Sequence, residues 1–438
     1  MLGGGVGPRP RPLRPGPAHR NAAVTDSPDI YERSLARHAA RHGKIEVASR
    51  MRLDSTDDLS LAYTPGVARP CEVIAKEPAA AWDLTWKGRT VAVVSDGSAI
   101  LGLGDLGPLA ALPVMEGKAA LFREFAGVDA VPIVLDQHEP DDIVATVKAI
   151  APSFGGINLE DISAPRCFEI EERLQDIGIP VLHDDQHGTA IVLLAALMNA
   201  CRATGRSMGE LRVVIAGAGA AGRAIARLLT CHETDDRCVP VAELLVCDSR
   251  GILNRDEPRG DATKDELAQQ TNPHDRKGSL KDALDGADVF IGVSRGGLLG
   301  EEDIRRMRRG DTPGSGPIVL AMANPVPEVD PEAARRAGAS VIGTGRSDLP
   351  NQVNNVLAFP GLFRGALEAR ATRFTNRMKW AAVDAIAASV PEPTAGVILP
   401  PAFDRSVASR VASAVAAACR ESRACHEPPA GVQAANPA

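Results

Sequence analysis

Twice along the chain, short apolar runs of strand length alternate with longer segments whose apolar residues recur at helical spacing. The first series runs "TVAVVSDG", "KAALFREFAG", "AVPIVLD", "PDDIVATVKAIAPSFGG", "GINLED", "RCFEIEERLQDIG" and "IPVLHDD". The second follows "RATGRSMGE" (Arg202 to Glu210). Its candidate strands are "LRVVIAGAGAAG", "ELLVCDSRG", "ADVFIGVS", "PIVLAMANP" and "ASVIGTG". Strand and helix alternating in this way make parallel strands joined by right-handed crossovers, so the chain reads as an α/β protein. At 438 residues it is too long for one compact core, which agrees with two separate series. A helix over "DIYERSLARHAARHG" precedes the first series, and an Ala-rich helical stretch from about Arg373 follows the second.

Aromatic residues make up only 3% of the chain, so Ala, Val, Leu and Ile must fill its core. The formal net charge of -7 argues against nucleic acid as a partner, although a local site can still oppose the global sign. No apolar run reaches the length of a membrane span, so no membrane partner is expected. The start, "MLGGGVGPRPRPLRPGPAHR", lacks the apolar segment of a secretory signal and reads as a disordered tail over 1–26. The end, 426–438, reads as frayed. Eight cysteines are scattered without a C-x-x-C pair, several inside apolar runs. They read as buried free thiols in a reducing, cytoplasmic setting rather than as zinc ligands.

In open parallel sheets ligands sit beyond the C-terminal ends of the strands, so the residues that follow each strand carry the chemistry. "VVIAGAGAAGRAIARLL" sets Gly217, Gly219 and Gly222, with Ala220 and Ala221 between them, after a strand and into a helix. That spacing lets backbone and helix N-terminus approach a pyrophosphate, which predicts a dinucleotide site. The next strand ends in Asp248, placed to bind ribose hydroxyls as in NAD binding; Arg250 would instead meet the 2′-phosphate of NADP, and both stay open. "INLEDI" ends in Glu160 and Asp161, and "VLHDD" ends in Asp184 and Asp185. Four acids at the ends of neighbouring strands either cap the helices that follow or converge on a cation. All-oxygen ligands suit Mg²⁺ or Mn²⁺. His183 and His187 read as structural. Lys118 stands at the start of an apolar helix, against the dipole; it reads either as a solvated helix-end lysine or as one whose pKa desolvation lowers so that it acts as a base. Tyr63 precedes a Pro-Gly turn, and the stretch "GTGRSDLPNQVNNVLAFPG" is too polar for a core strand.

These clusters together resemble the malic enzymes in their short prokaryotic form. The matching stretches are "YTPGVA", "SDGSAILGLGDLGPLAALPVMEGKAALF", "GINLEDISAPRCFEIEERL", "IPVLHDDQHGTA", "GAGAAG", "ANPVPE" and "TGRSDLPNQVNNVLAFPGLFRGAL", in the expected order from about Tyr63 to Leu367. The resemblance implies an N-terminal α/β substrate and metal domain over 27–185. A Rossmann-type domain with a parallel sheet and C-terminal helices would follow over 186–425. It implies Tyr63 as general acid, Lys118 as general base, and Glu160, Asp161 and Asp185 as metal ligands, with Asp184 supporting them. Asn324 and Asn355 would hold the substrate, and Asn324 would also border the cofactor. The implied reaction is oxidative decarboxylation of L-malate to pyruvate and CO₂ with NAD or NADP and Mn²⁺ or Mg²⁺, in a homodimer or larger homo-oligomer. A malolactic enzyme shares these motifs, and a non-catalytic dinucleotide sensor would share the fold. One position departs from the longer eukaryotic members: where they carry a carboxylate-binding Arg before "ILGLGD", this chain has Ala99.

Overall fold

The computed structural model describes residues 29–100, 103–232, 238–307 and 316–426. The tail expected over 1–26 lies outside them, as does the expected frayed end from 427 on. The chain divides into a unit of residues 1–44 and a unit of residues 45–438. The first holds the helix Ile30–Arg41, which has no buried residue.

The second unit contains both sheets. Strands β1 (Thr90–Ser95), β2 (Asp129–Val134), β3 (Gly156–Leu159) and β4 (Val181–His183) form a parallel sheet in the order β2-β1-β3-β4. Every residue of β1 is buried, as a strand covered on both faces requires. The chain leaves β1 for β2 on one side and then crosses to β3 on the other. The crevice at such a reversal lies between β1 and β3, where the Ala99 N–H donates to the Asp161 carbonyl at 3.0 Å.

The second sheet has β5 (Arg212–Ala216), β6 (Glu243–Asp248), β7 (Gly251–Ile252), β8 (Val289–Gly292), β9 (Ile318–Ala321) and β10 (Val341–Thr344) in the order β10-β9-β8-β5-β6-β7. All neighbours are parallel except β7, a two-residue antiparallel edge that the sequence pattern did not reveal. Its reversal point lies between β5 and β8.

The helix Asp184–Thr204 joins the two sheets and is buried on nearly all sides. It packs against the helices Ala220–Leu229 and Asn376–Ala387. One apolar core extends from β1 through this helix to the C-terminal helix Arg405–Glu421. Within it the few aromatic rings meet edge to face: Phe122 with Phe359 at 4.8 Å and Phe363 with Phe374 at 5.2 Å between centroids.

Two expectations are corrected here. Lys118 does not open a helix: the helix runs Pro108–Leu121 and Lys118 lies in its last turn, where a cation is favoured by the dipole. Pro113 and Gly117 disguised the first turns, yet buried Ala111 and Met115 hold them. Nor are all the cysteines buried free thiols: Cys231 and Cys238 form a disulfide across Cα atoms 5.8 Å apart, and Cys71 is exposed. Among the described residues, no helix is long and apolar enough to cross a membrane.

Candidate active site

The register Leu159↔His183 sets the ends of β3 and β4 side by side. Glu160 and Asp161 leave one strand, Asp184 and Asp185 the other. As a result, carboxylate oxygens of Glu160, Asp161 and Asp185 all lie within 4.8 Å of one another. The Asp161 N–H donates to Asp185 Oδ2 at 2.9 Å, which ties the two strand ends together. The helix from Asp184 has His183 as its N-cap, with no side-chain cap bond there, while Asp184 Oδ2 meets Lys118 and Asn355 and Asp185 Oδ2 meets the Asp161 N–H.

Lys118 enters this cluster from the Pro108–Leu121 helix. Its Nζ lies 2.6 Å from Asp184 Oδ2 and 2.8 Å from Glu160 Oε1, and 4.2 Å from the centre of the Phe359 ring. Asn355 donates its amide to the same Asp184 oxygen, and Asn158 donates to Glu160 Oε2 at 2.8 Å. Burial pushes the Lys118 ammonium toward neutrality, but the Asp184 and Glu160 charges outweigh it, so its pKa stands above the ordinary lysine value. This overturns the expectation of a lowered pKa: the sequence showed desolvation and the two acids separately, and only the fold sets Asp184 and Glu160 against Lys118. Burial raises Asp184 to about 6 despite Lys118, and burial also raises Glu160. Gly188, one turn into the helix, leaves room for the Asp184 carboxylate; a Cβ there would overlap it.

Two of the four carboxylates, Glu160 and Asp184, thus meet Lys118, and a flanking imidazole lies near a third, with His183 Nε2 3.5 Å from Asp185 Oδ2. Oxygen donors in negative excess fit a hard divalent cation such as Mg²⁺ or Mn²⁺, and Glu160, Asp161 and Asp185 are placed so that they could hold one.

At the reversal point of the second sheet lies a cleft of about 800 Å³. Gly217, Gly219, Asp248 and Arg250 line it, with Val293 and Ser294 from the end of β8 and Phe168 from the first sheet's side. Gly217 has φ +127°, and a Cβ would meet the Val293 carbonyl, so only glycine brings the backbone this close. Ala220 and Ala221 open the helix Ala220–Leu229, and Gly222 lies on its buried face. Asp248 faces Lys264 at 3.3 Å and Arg259 at 3.5 Å.

The structure brings Lys118, Glu160, Asp161, Asp184, Asp185 and Asn355 into one cluster. Tyr63 is not part of it: it closes the short helix Thr56–Ala62 and is 67% exposed. Asn324 stands exposed after β9. Reading the sequence missed Glu171. It shares the buried face of the helix Arg166–Arg173 with Cys167 and Ile170, and its signal was an acid at an apolar position.

Residues 42–175 match the malic enzyme N-terminal domain, and residues 186–420 match the malic enzyme NAD-binding domain. The bifunctional malic/malolactic enzyme of Bacillus subtilis is 53% identical over 396 residues, covering 90% of this chain and 93% of that protein. An NADP-dependent malic enzyme of Halomonas elongata is 45% identical over 405 residues, 88% of this chain and 92% of that one. The crystal structure of an NAD-dependent malic enzyme from Thermotoga maritima superposes with a TM-score of 0.82 at 48% identity, covering 87% of this chain and 98% of that chain. Both domains in order, the acid cluster beyond the strand ends of one sheet and the glycine-rich cleft at the reversal point of the other lead to one conclusion: this chain belongs to the malic enzyme family.

Proposed function

We propose that the protein oxidatively decarboxylates L-malate to pyruvate and CO₂ while reducing NAD⁺ or NADP⁺, and that it decarboxylates oxaloacetate through the same β-keto acid stage. The observation that carries this reading is Lys118 held between Asp184 and Glu160 beside the three-carboxylate cluster. Lys118 holds its proton in this arrangement, so it must release it before acting as a base. Asp184 Oδ2, 2.6 Å away, takes that proton and gives it back to Lys118 once the substrate's hydroxyl proton has passed on toward C3, so the pair ends as it began. Lys118 then takes the proton of the C2 hydroxyl as hydride leaves C2, and the resulting β-keto acid loses C4 as CO₂. Asn324 and Asn355 orient the substrate carboxylates. Tyr63, which this chain leaves on its surface away from the cluster, returns a proton to C3 only where the second copy proposed below brings it to a site. When bound by Glu160, Asp161 and Asp185, Mg²⁺ or Mn²⁺ supplies Lewis-acid stabilisation of the charge that builds on the C2 oxygen. The dinucleotide occupies the cleft over Gly217 and Gly219.

A homodimer is part of this proposal. Val47, Met51, Leu53, Leu59, Leu61 and Tyr63 are all exposed in one stretch of chain, and a second copy would cover them. Light scattering with size exclusion tests this; a monomer would count against it.

A malolactic outcome is the second reading, favoured by the bifunctional Bacillus subtilis relative. One experiment separates the two. Absorbance of reduced nicotinamide is followed with L-malate and Mn²⁺, first with NAD⁺ and then with NADP⁺, and pyruvate and lactate are assayed at the end. Growth of the band with pyruvate supports the malic reading. A flat trace with lactate supports the other, and untouched malate removes both.

A further inference from the structure

The helix Asp184–Thr204 begins with two acids whose carboxylates turn to the reactive cluster, and its N-cap His183 makes no side-chain cap bond. Something else must satisfy and anchor that terminus. Glu171, from the neighbouring helix Arg166–Arg173, does so. Its Oε1 accepts the His183 backbone N–H at 2.8 Å. Its Oε2 accepts the Gln186 amide at 3.0 Å and lies 3.0 Å from His187 Nε2. Residues 183, 186 and 187 bracket Asp184 and Asp185 on both sides. From a second helix, Glu171 fills the place that the third helical residue fills in a capping box.

A buried carboxylate is costly unless it is fully paired, and Glu171 is buried. Burial alone would raise its pKa, but the neighbouring His187, which hydrogen-bonds to it, together with Lys379 and His183 outweighs this and holds it at about 2. Lys379, which adds to this electrostatically, comes from the helix Asn376–Ala387.

We infer that Glu171 is a positioning residue: its carboxylate clamps the chain on either side of Asp184 and Asp185 and sets how these acids face Lys118 and the cation site. The inference rests on the proposed reading of that cluster. It also gives His187 and Gln186 a task, as donors to the clamp.

The test compares wild type with Glu171→Gln and Gln186→Met. Free Mn²⁺ is measured by electron paramagnetic resonance, NAD⁺ and NADP⁺ binding by fluorescence, and folding by circular dichroism. Glu171→Gln should bind Mn²⁺ about 10–100-fold more weakly, the usual effect of removing a group that orients metal ligands, with dinucleotide affinity unchanged. Wild-type Mn²⁺ affinity and kcat in this variant would overturn the inference. So would a parallel loss of dinucleotide affinity, which marks a merely structural residue. If Glu171→Gln does not fold, Gln186→Met decides: weaker Mn²⁺ binding supports the clamp, and unchanged binding overturns it. If wild type itself binds no Mn²⁺, the metal reading fails separately. The clamp is then judged on turnover, where a lower kcat at unchanged malate KM supports it and an unchanged kcat overturns it.

Discussion

Lys118 and Asp184 are 66 positions apart in the chain, and their charged atoms meet at 2.6 Å. The pair spans the first sheet: one residue lies in the last turn of the helix before β2 and the other in the first residue after β4. Both are buried, so neither can exchange its proton freely with water.

Replacing Lys118 with Ala should lower kcat by about 10²–10⁴-fold, the range of a general base, with dinucleotide affinity retained. Asp184→Asn should lower kcat in the same direction, because the proton on Lys118 loses its receiving atom. Steady-state kinetics with a separate cofactor titration checks both. Near-normal turnover in Lys118→Ala would remove it from the base role.

Asp185→Ala takes one oxygen donor from the three-carboxylate cluster. Mn²⁺-dependent activity should be lost, and equilibrium dialysis should show no specific Mn²⁺ binding. Wild-type protein with full activity in excess chelator would sink the metal assignment.

Gly188→Ala places a methyl group on the Asp184 carboxylate. Overpacking of this kind costs about 1–3 kcal/mol. The expected outcome is a lower melting temperature together with a lower kcat, since Asp184 must turn away from Lys118. A calorimetric scan and an initial-rate assay read the two effects. A stable variant with wild-type kcat would show that Asp184 keeps its place by other means.

Asp248 sits in the cleft with Arg250, facing Lys264. Asp248→Ser removes a negative charge where a 2′-phosphate would lie and leaves the cations. The NADP⁺ to NAD⁺ ratio of kcat/KM should rise by about tenfold or more, which is about 1.4 kcal/mol of discrimination. An unchanged ratio would place the adenosine ribose elsewhere.

Burial pushes the thiols of Cys167, Cys201 and Cys247 up to about 12. Since the thiolate is the reactive form, these three should stay unlabelled by iodoacetamide in native protein at pH 8, whereas exposed Cys71 labels readily. Peptide mapping by mass spectrometry reads the pattern. Labelling of Cys247 in folded protein would contradict the burial of β6.

Much of this architecture is legible locally. Each main strand announces itself as an apolar run, and each acid or glycine cluster follows directly in sequence, because a parallel strand and the turn after it are contiguous. Glu160, Asp161, Asp184, Asp185, Gly217 and Asp248 could therefore be picked out one strand at a time. The two-residue β7 could not, since so short an edge has no periodicity to read.

What distant segments decide together was hidden. The sequence showed a lysine in an apolar setting, and desolvation pointed to a lowered pKa; the structure adds two carboxylates from other strands, and the direction reverses. It showed Tyr63 in a motif, and the structure leaves that side chain on the surface. It showed Glu171 as one more acid in a charged helix, and only folding turns it toward His183, Gln186 and His187. Periodicity and strand-end chemistry are properties of neighbours along the chain, and so the sequence by itself determined the fold class and the residues available to the site. Charge balance, proton position and the aim of a carboxylate depend on Coulomb and hydrogen-bond partners a few ångströms away, and the packing of helices and strands alone decides which these are.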